Sequence, residues 1–231
     1  ILQAGGSAVD AAIAAQLVLG LVEPQSSGIG GGGFMLVLDG TRKTLTALDG
    51  RETAPAAIDE QLFHDRDGKP LSFARAVASG LSVGVPGLMR LLERAHQQHG
   101  RLPWAQLFEP ALVLAREGFP VSARLHALLA RDQFLAGQPQ AADYFFDGHG
   151  RPWPIGHRLR NPVLAETLQA LARDGADALY RGDIGAAIVD AVRSHPRHPG
   201  ALTRADLLDY QVAEREALCS LHGRYWVAAC H

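Results

Sequence analysis

Five glycines within six residues, Gly28 and Gly30 to Gly33, constrain this chain more than any other stretch of it. Without Cβ atoms such a loop can enter left-handed backbone and let another chain or a ligand approach closely. Gly28, Gly30 and Gly33 satisfy G-x-G-x-x-G in form, yet a dinucleotide fingerprint needs a strand before the glycines and a helix after them. Here the order is reversed. Ala8 to Leu21 reads as a helix with Ser7 as its N-cap, and Phe34 to Leu38 follows the glycines as a buried strand. No Gly-Lys-Ser/Thr follows, which removes the phosphate-cradle reading as well.

Phe34 to Leu38, an Asp39-Gly40 turn and Thr44 to Leu48 form a hairpin pattern. Asp49-Gly50 reads as a second turn, and it presents Arg51-Glu52. From residue type alone, Arg51 is either a surface arginine paired with Glu52 or Asp49, or a clamp. A planar guanidinium can hold a carboxylate bidentately, which lysine does less well.

The remaining chain offers few competing sites. A net charge of −2 with scattered Lys and Arg gives no basic stripe, so nucleic acid is not an expected partner. Ala11 to Val22 is the most apolar run, but it contains Gln16 and Gly20 and is too short for a membrane span of about 20 residues. It is expected to be a core helix. Asp65-x-Asp67-Gly68 lacks the later ligands of a calcium loop, and His96-x-x-His99 and His195-x-x-His198 lack further ligands, so no metal is expected. No Gly-x-Ser-x-Gly elbow is present. Cys219 and Cys230 are the two cysteines, in a strand-like segment from Arg215 to Cys230; a bridge and two free thiols both fit the spacing.

Further helices are expected over Leu88 to His99, around Trp104 to Phe108, from Pro110 to Glu117, after Ser122, from Pro162 to Arg173, from Asp183 to His195, and after Thr203, whose Thr203-x-x-Asp206 spacing resembles a capping box. Ile58 to Phe63 reads as a short helix, and Asp132 to Arg160 as a long irregular loop of the kind that is functional or covers another element.

Several blocks together resemble the large subunit of the γ-glutamyltranspeptidase (glutathione hydrolase) family. They are Gly6 to Ala12, Glu23 to Phe34, Leu48 to Pro55 and Ser82 to Gly87, followed by Pro110-Ala111 to Gly118-Phe119, Tyr210 to Glu216 and Gly223 to Tyr225. The likeness spans nearly the whole chain. It implies an α+β fold: the helix-rich large-subunit portion of an N-terminal-nucleophile hydrolase αββα sandwich, with residues 1–231 as a single incomplete domain.

The resemblance implies a precursor that cleaves itself. The new N-terminal threonine of the small subunit attacks a γ-glutamyl amide such as glutathione, and the glutamyl group passes to water, an amino acid or a peptide. Arg51 falls on the family's Gly-Arg-Glu-Thr-Ala-Pro block, whose arginine holds the α-carboxylate of the donor. Glu52 is assigned to fixing Arg51, and the glycine loop to tight packing under the site. The start at Ile1 is expected to mark a fragment or a processed product. Ending at His231, this chain is expected to carry no nucleophile, to need the small subunit as partner, to use no cofactor and to be inactive alone. A periplasmic or extracellular location is implied. A related acylase acting on other amides, and a non-catalytic module that kept the fold, are the alternatives.

Overall fold

The structure, a computed structural model, describes residues 1–65, 67–196 and 198–229. In chain order the elements are α1 (Ala8–Val22), β1 (Gly33–Asp39), β2 (Thr44–Gly50), α2 (Phe73–Val77), α3 (Leu88–His99) and α4 (Glu109–Glu117). Next come β3 (Phe119–Pro120), α5 (Ala123–Leu129), α6 (Pro139–Phe145), β4 (Arg158–Leu159), α7 (Pro162–Asp174), α8 (Asp177–Tyr180) and α9 (Asp183–Arg193). The C-terminal elements are α10 (Arg204–Asp209), β5 (Ala213–Arg215), β6 (Leu218–His222) and β7 (Tyr225–Ala229). Short 3-10 turns, among them Trp104–Phe108 and Gly80–Ser82, join some of them. The residues group into two compact units, one formed by Ile1–Gly28 with Arg101–Arg173, the other by Ile29–Gly100 with Asp174–His231.

The first unit is built on α1. Ser7 caps it as expected, and the cap is a full box: Ser7 Oγ accepts from the Asp10 N–H, and Asp10 Oδ2 accepts from the Ser7 N–H. Val9, Ile13, Ala14, Leu17 and Leu21 fall on one buried stripe, whereas Leu19 is exposed. The stripe packs on α4 and on the Trp104–Phe108 turn, where Leu107, Phe108, Ala111, Leu112 and Ala115 are buried. Each large aliphatic side chain taken out of water there contributes about 1.5–3 kcal/mol before entropy is counted. Asp10 is also fully buried, and its carboxylate accepts from the N–H groups of Arg101 and Leu102. Burial opposes its charge, but the bonds from Ser7, Leu102 and Arg101 outweigh that and hold its carboxyl below the ordinary range.

Gly118, with φ at 92°, stops α4, and β3 then pairs with β4. Ser122 caps α5 through a bond from the Leu125 N–H. The expected loop from Asp132 to Arg160 is more ordered than its sequence indicates. It contains α6 and ends in β4, and α6 has no buried residue, so no apolar stripe announced it.

The second unit holds a sheet in the order β1-β2-β5, antiparallel throughout. Helix α3 covers one face of the β1–β2 hairpin, and its Leu88, Leu91, Leu92 and Ala95 are buried as the spacing predicts. Gly50 permits that approach: a Cβ there would sit 2.5 Å from the Cβ of Leu91. Three expectations change in this region. β1 is not a buried strand, because its side chains alternate and Phe34, Leu36 and Leu38 stand open on the face away from Met35 and Val37. Asp49-Gly50 is not a turn, because Asp49 pairs with Phe34 on one side and Ala213 on the other, and ladder bonds outweigh the local preference of the dipeptide. Residues 58–63 form successive turns rather than a helix.

Thr203 and Asp206 make the expected capping box at the start of α10. α9 begins at Asp183 as expected, with Gly182 as its N-cap and no side-chain capping bond. β6 and β7 form a hairpin in which Cys219 faces Ala228. Cys219 is a free, exposed cysteine; its supposed partner Cys230 lies outside the described residues. Among the described residues no helix is long and apolar enough to cross a membrane.

Candidate functional site

Arg51 follows the last residue of β2, and both of its backbone polar groups are held by side chains. Its N–H donates to Asp49 Oδ1 at 2.9 Å, and its carbonyl accepts from the Tyr210 hydroxyl at 2.7 Å. Asp49 is fixed in turn by the Arg215 guanidinium, with Nε 2.7 Å from Oδ2. Burial works against the charge on Asp49, but the Arg51 N–H and Arg215 outweigh it and hold this carboxyl below its ordinary range. Beyond Arg51, the Thr53 carbonyl accepts from the Val85 N–H at 2.8 Å, and the Ala56 N–H donates to Asp206 Oδ1 at 2.8 Å. The backbone on both sides of the arginine is therefore tied to distant parts of the unit.

The side chain is left free by comparison. Arg51 is 65% exposed, and its Nη1 lies 3.0 Å from Oε2 of Glu52. That oxygen is out of solvent and accepts no hydrogen bond, so the adjacent guanidinium is what offsets its charge. An exposed pair of this kind adds little to stability. Its consequence is to orient a cation that still has unused N–H groups.

Arg51, Glu52 and Thr53 line one side of a cleft of about 400 Å³, with Gly30, Ser82, Val83 and Gly84 completing it. The glycine loop thus reaches the arginine, though not through left-handed backbone: none of Gly28 to Gly33 has a positive φ. Close approach is required at Gly32, where a Cβ would lie 2.6 Å from Glu52 Oε2 and 2.7 Å from the Gly50 carbonyl. Gly31 has a different task. Its carbonyl accepts from both the Gly87 and the Leu88 N–H, each at 2.9 Å, and so caps the first turn of α3.

Of the groups weighed as metal ligands, the Asp65 loop is an Asx turn in which Oδ1 accepts from the Asp67 and Lys69 N–H groups. His195 Nδ1 accepts from the His198 N–H. Among the described residues no three His, Cys, Asp or Glu side chains converge as a metal site. Sequence reasoning named Asp49 only as an ion-pair partner for the Arg51 side chain, and it missed Arg215 and above all Tyr210, whose bond spans 159 positions. The one signal was that Tyr210 falls in a block carrying the family resemblance.

A family model described as Gamma-glutamyltranspeptidase matches residues 1–230. The glutathione hydrolase proenzyme of Bacillus subtilis (strain 168) is 36% identical over 228 residues, which cover 99% of this chain and 38% of that protein. The crystal structure of Helicobacter pylori γ-glutamyltranspeptidase superposes with a TM-score of 0.92 at 29% identity, covering all of this chain and 65% of that one. The γ-glutamyltranspeptidase from Pseudomonas nitroreducens, complexed with L-DON, gives 0.88 at 30% identity, over 100% and 66% of the two chains. The chain thus spans well under half the length of the curated relatives it matches. Its mixed α+β architecture is the helix-rich large-subunit portion of an N-terminal-nucleophile hydrolase fold. With the family model covering almost every residue and the solved relatives sharing the fold, this chain belongs to the γ-glutamyltranspeptidase family.

Proposed function

We propose that this chain is the donor-orienting portion of a γ-glutamyltransferase or glutathione hydrolase, an enzyme that cleaves γ-glutamyl amides such as glutathione. The observation that carries this reading is Arg51, a guanidinium kept at a cleft in solvent while its own backbone is tied at both polar groups. A fork so placed can grip the donor's α-carboxylate through two parallel N–H···O bonds. Gripping that end fixes the direction in which the γ-carbonyl, three carbons away, is presented.

In this reading the nucleophile is the N-terminal threonine of a small subunit, released when a precursor cleaves itself. Its α-amine takes the hydroxyl proton as the oxygen attacks the γ-carbonyl carbon. The C–N bond of the amide breaks, the amine leaves with that proton, and a γ-glutamyl ester remains on the threonine. Water or the amine of an amino acid or peptide then attacks the ester and restores the hydroxyl. This chain contributes orientation and no reacting group, so alone it is inactive. The chemistry calls for no cofactor, and a periplasmic or extracellular setting suits the family's peptide substrates.

The seat built around Arg51 suits a donor that carries a carboxylate beyond its scissile amide, as a γ-glutamyl group does, and so favours that reading over an acylase of amides that lack one. The test uses the product of the full-length gene. Intact mass should reveal two polypeptides, the smaller beginning with threonine. Arg51→Met should then preserve processing and weaken donor binding by about 2–5 kcal/mol if the pair is desolvated. A single uncleaved species, or an unchanged donor KM in Arg51→Met, would overturn the proposal.

A further inference from the structure

Tyr210 is almost fully buried, 7% exposed, and its hydroxyl is spent on a single bond to the Arg51 carbonyl. Room for that hydroxyl is made by Gly87, where a Cβ would lie 2.1 Å from the phenol oxygen and equally close to the Gly50 carbonyl. The ring stacks on Tyr180, with centroids 6.0 Å apart and planes 20° from parallel. Tyr180 is itself held by a bond to the Pro86 carbonyl at 2.7 Å and by the Arg90 guanidinium 4.4 Å over its ring. Arg90 is in turn paired with Glu93 and Asp177. Tyr210 is thus the exposed-site end of a braced stack, and its one polar atom is aimed at the residue carrying the candidate clamp.

From this geometry we infer that Tyr210 is a positioning residue for Arg51, acting on donor affinity through the arginine's main chain. The inference rests on the reading of Arg51 as the carboxylate clamp. Tyr210 touches no part of the cleft that the donor would occupy, since it is absent from the residues lining it. It holds the peptide that follows the Arg51 Cα, while Asp49 holds the one that precedes it. With both peptides fixed, the Cα–Cβ direction is fixed, and the guanidinium searches a smaller volume than it would on a free loop. Burial, with the negative charges of Asp49 and Glu52 nearby, pushes the phenol pKa up to about 12, so the hydroxyl stays a donor across the working range of pH.

The test is a double-mutant cycle on the processed full-length enzyme, with Tyr210→Phe, Arg51→Met and the double variant compared by donor KM, kcat and the extent of self-cleavage. Tyr210→Phe keeps the ring and the stack and loses one hydrogen bond, so donor KM should rise about three- to tenfold with kcat and cleavage nearly unchanged. In the Arg51→Met background the same substitution should have no further effect on KM, because no fork remains to be aimed. A merely structural tyrosine would lower cleavage or kcat, or would add its full effect in the Arg51→Met background; either result overturns the inference. An unchanged KM in Tyr210→Phe alongside a raised KM in Arg51→Met overturns it while leaving the clamp intact. An unchanged KM in Arg51→Met removes the clamp and the inference together.

Discussion

A β-carbon on Gly32 would stand 2.6 Å from Oε2 of Glu52, nearer than two such atoms can approach. The glycine loop is therefore what allows Glu52 to sit beside Arg51 with that oxygen out of solvent. Gly32→Ala should displace Glu52 or the loop, at a cost of about 1–3 kcal/mol in stability. Thermal unfolding of the full-length enzyme would measure the cost. Donor KM should rise with it, and a variant as stable and as tight as the parent would show that the contact is dispensable.

Arg51→Lys keeps the charge and removes the fork. If the arginine grips a carboxylate through two bonds, lysine should raise donor KM by about tenfold rather than preserve it. Steady-state kinetics with one γ-glutamyl donor suffices. Full activity in the lysine variant would reduce the role of Arg51 to that of a point charge.

Asp10 gives a pH prediction. Its folded-state pKa lies below the ordinary 3.8, so its stabilising contribution is complete above that value and is lost as the pH falls through the folded pKa. Asp10→Ala leaves the N–H groups of Ser7, Arg101 and Leu102 without their acceptor and should destabilise by about 3 kcal/mol near neutrality. Denaturant titrations from neutral pH downwards should find parent and variant converging below about pH 4, since the carboxylate protonates there in the unfolded chain first. A gap that persisted undiminished into that range would rule out the charged form as the source.

Tyr180 and Tyr210 each donate one hydrogen bond to a carbonyl, but the acceptors differ: Pro86 is buried and Arg51 is exposed. Tyr180→Phe should therefore cost about 1–3 kcal/mol, because the Pro86 carbonyl is left dry and unpaired, while Tyr210→Phe should cost less. Urea unfolding of the two variants would rank them. The opposite order would mean that the stack, rather than the acceptor's surroundings, sets the energetics.

Much of the frame was legible because its signals are local. Ser7 as an N-cap and the Thr203-x-x-Asp206 spacing announced their helices, and both caps close as boxes. The apolar spacing of Leu88, Leu91, Leu92 and Ala95 gave α3 from end to end. What escaped was decided by distant partners or by no partner at all. Asp49-Gly50 has the composition of a turn, but strands on both sides hold it extended. α6 has no fully buried residue and so has no stripe to read. Arg51 was favoured as a candidate clamp over a surface arginine only through the resemblance of its block. Its seat was not legible, since Tyr210 and Arg215 reach it from the far end of the chain and nothing in their own neighbourhoods says so.

The loop joining β1 to β2 is held by Asp39, whose Oδ1 accepts from the Thr41 and Arg42 N–H groups, and it is closed by Lys43 at a φ of 55°. Its length sets the pairing of Phe34 with Asp49 at the other end of the hairpin. Side chains alternate along a strand, so a shift of one residue would turn Asp49 toward Leu91 of α3 and take it away from Arg215. A bend on the surface thus acts as a ruler: by counting residues at one end of the hairpin, it determines on which side of a sheet a positive charge is displayed at the other.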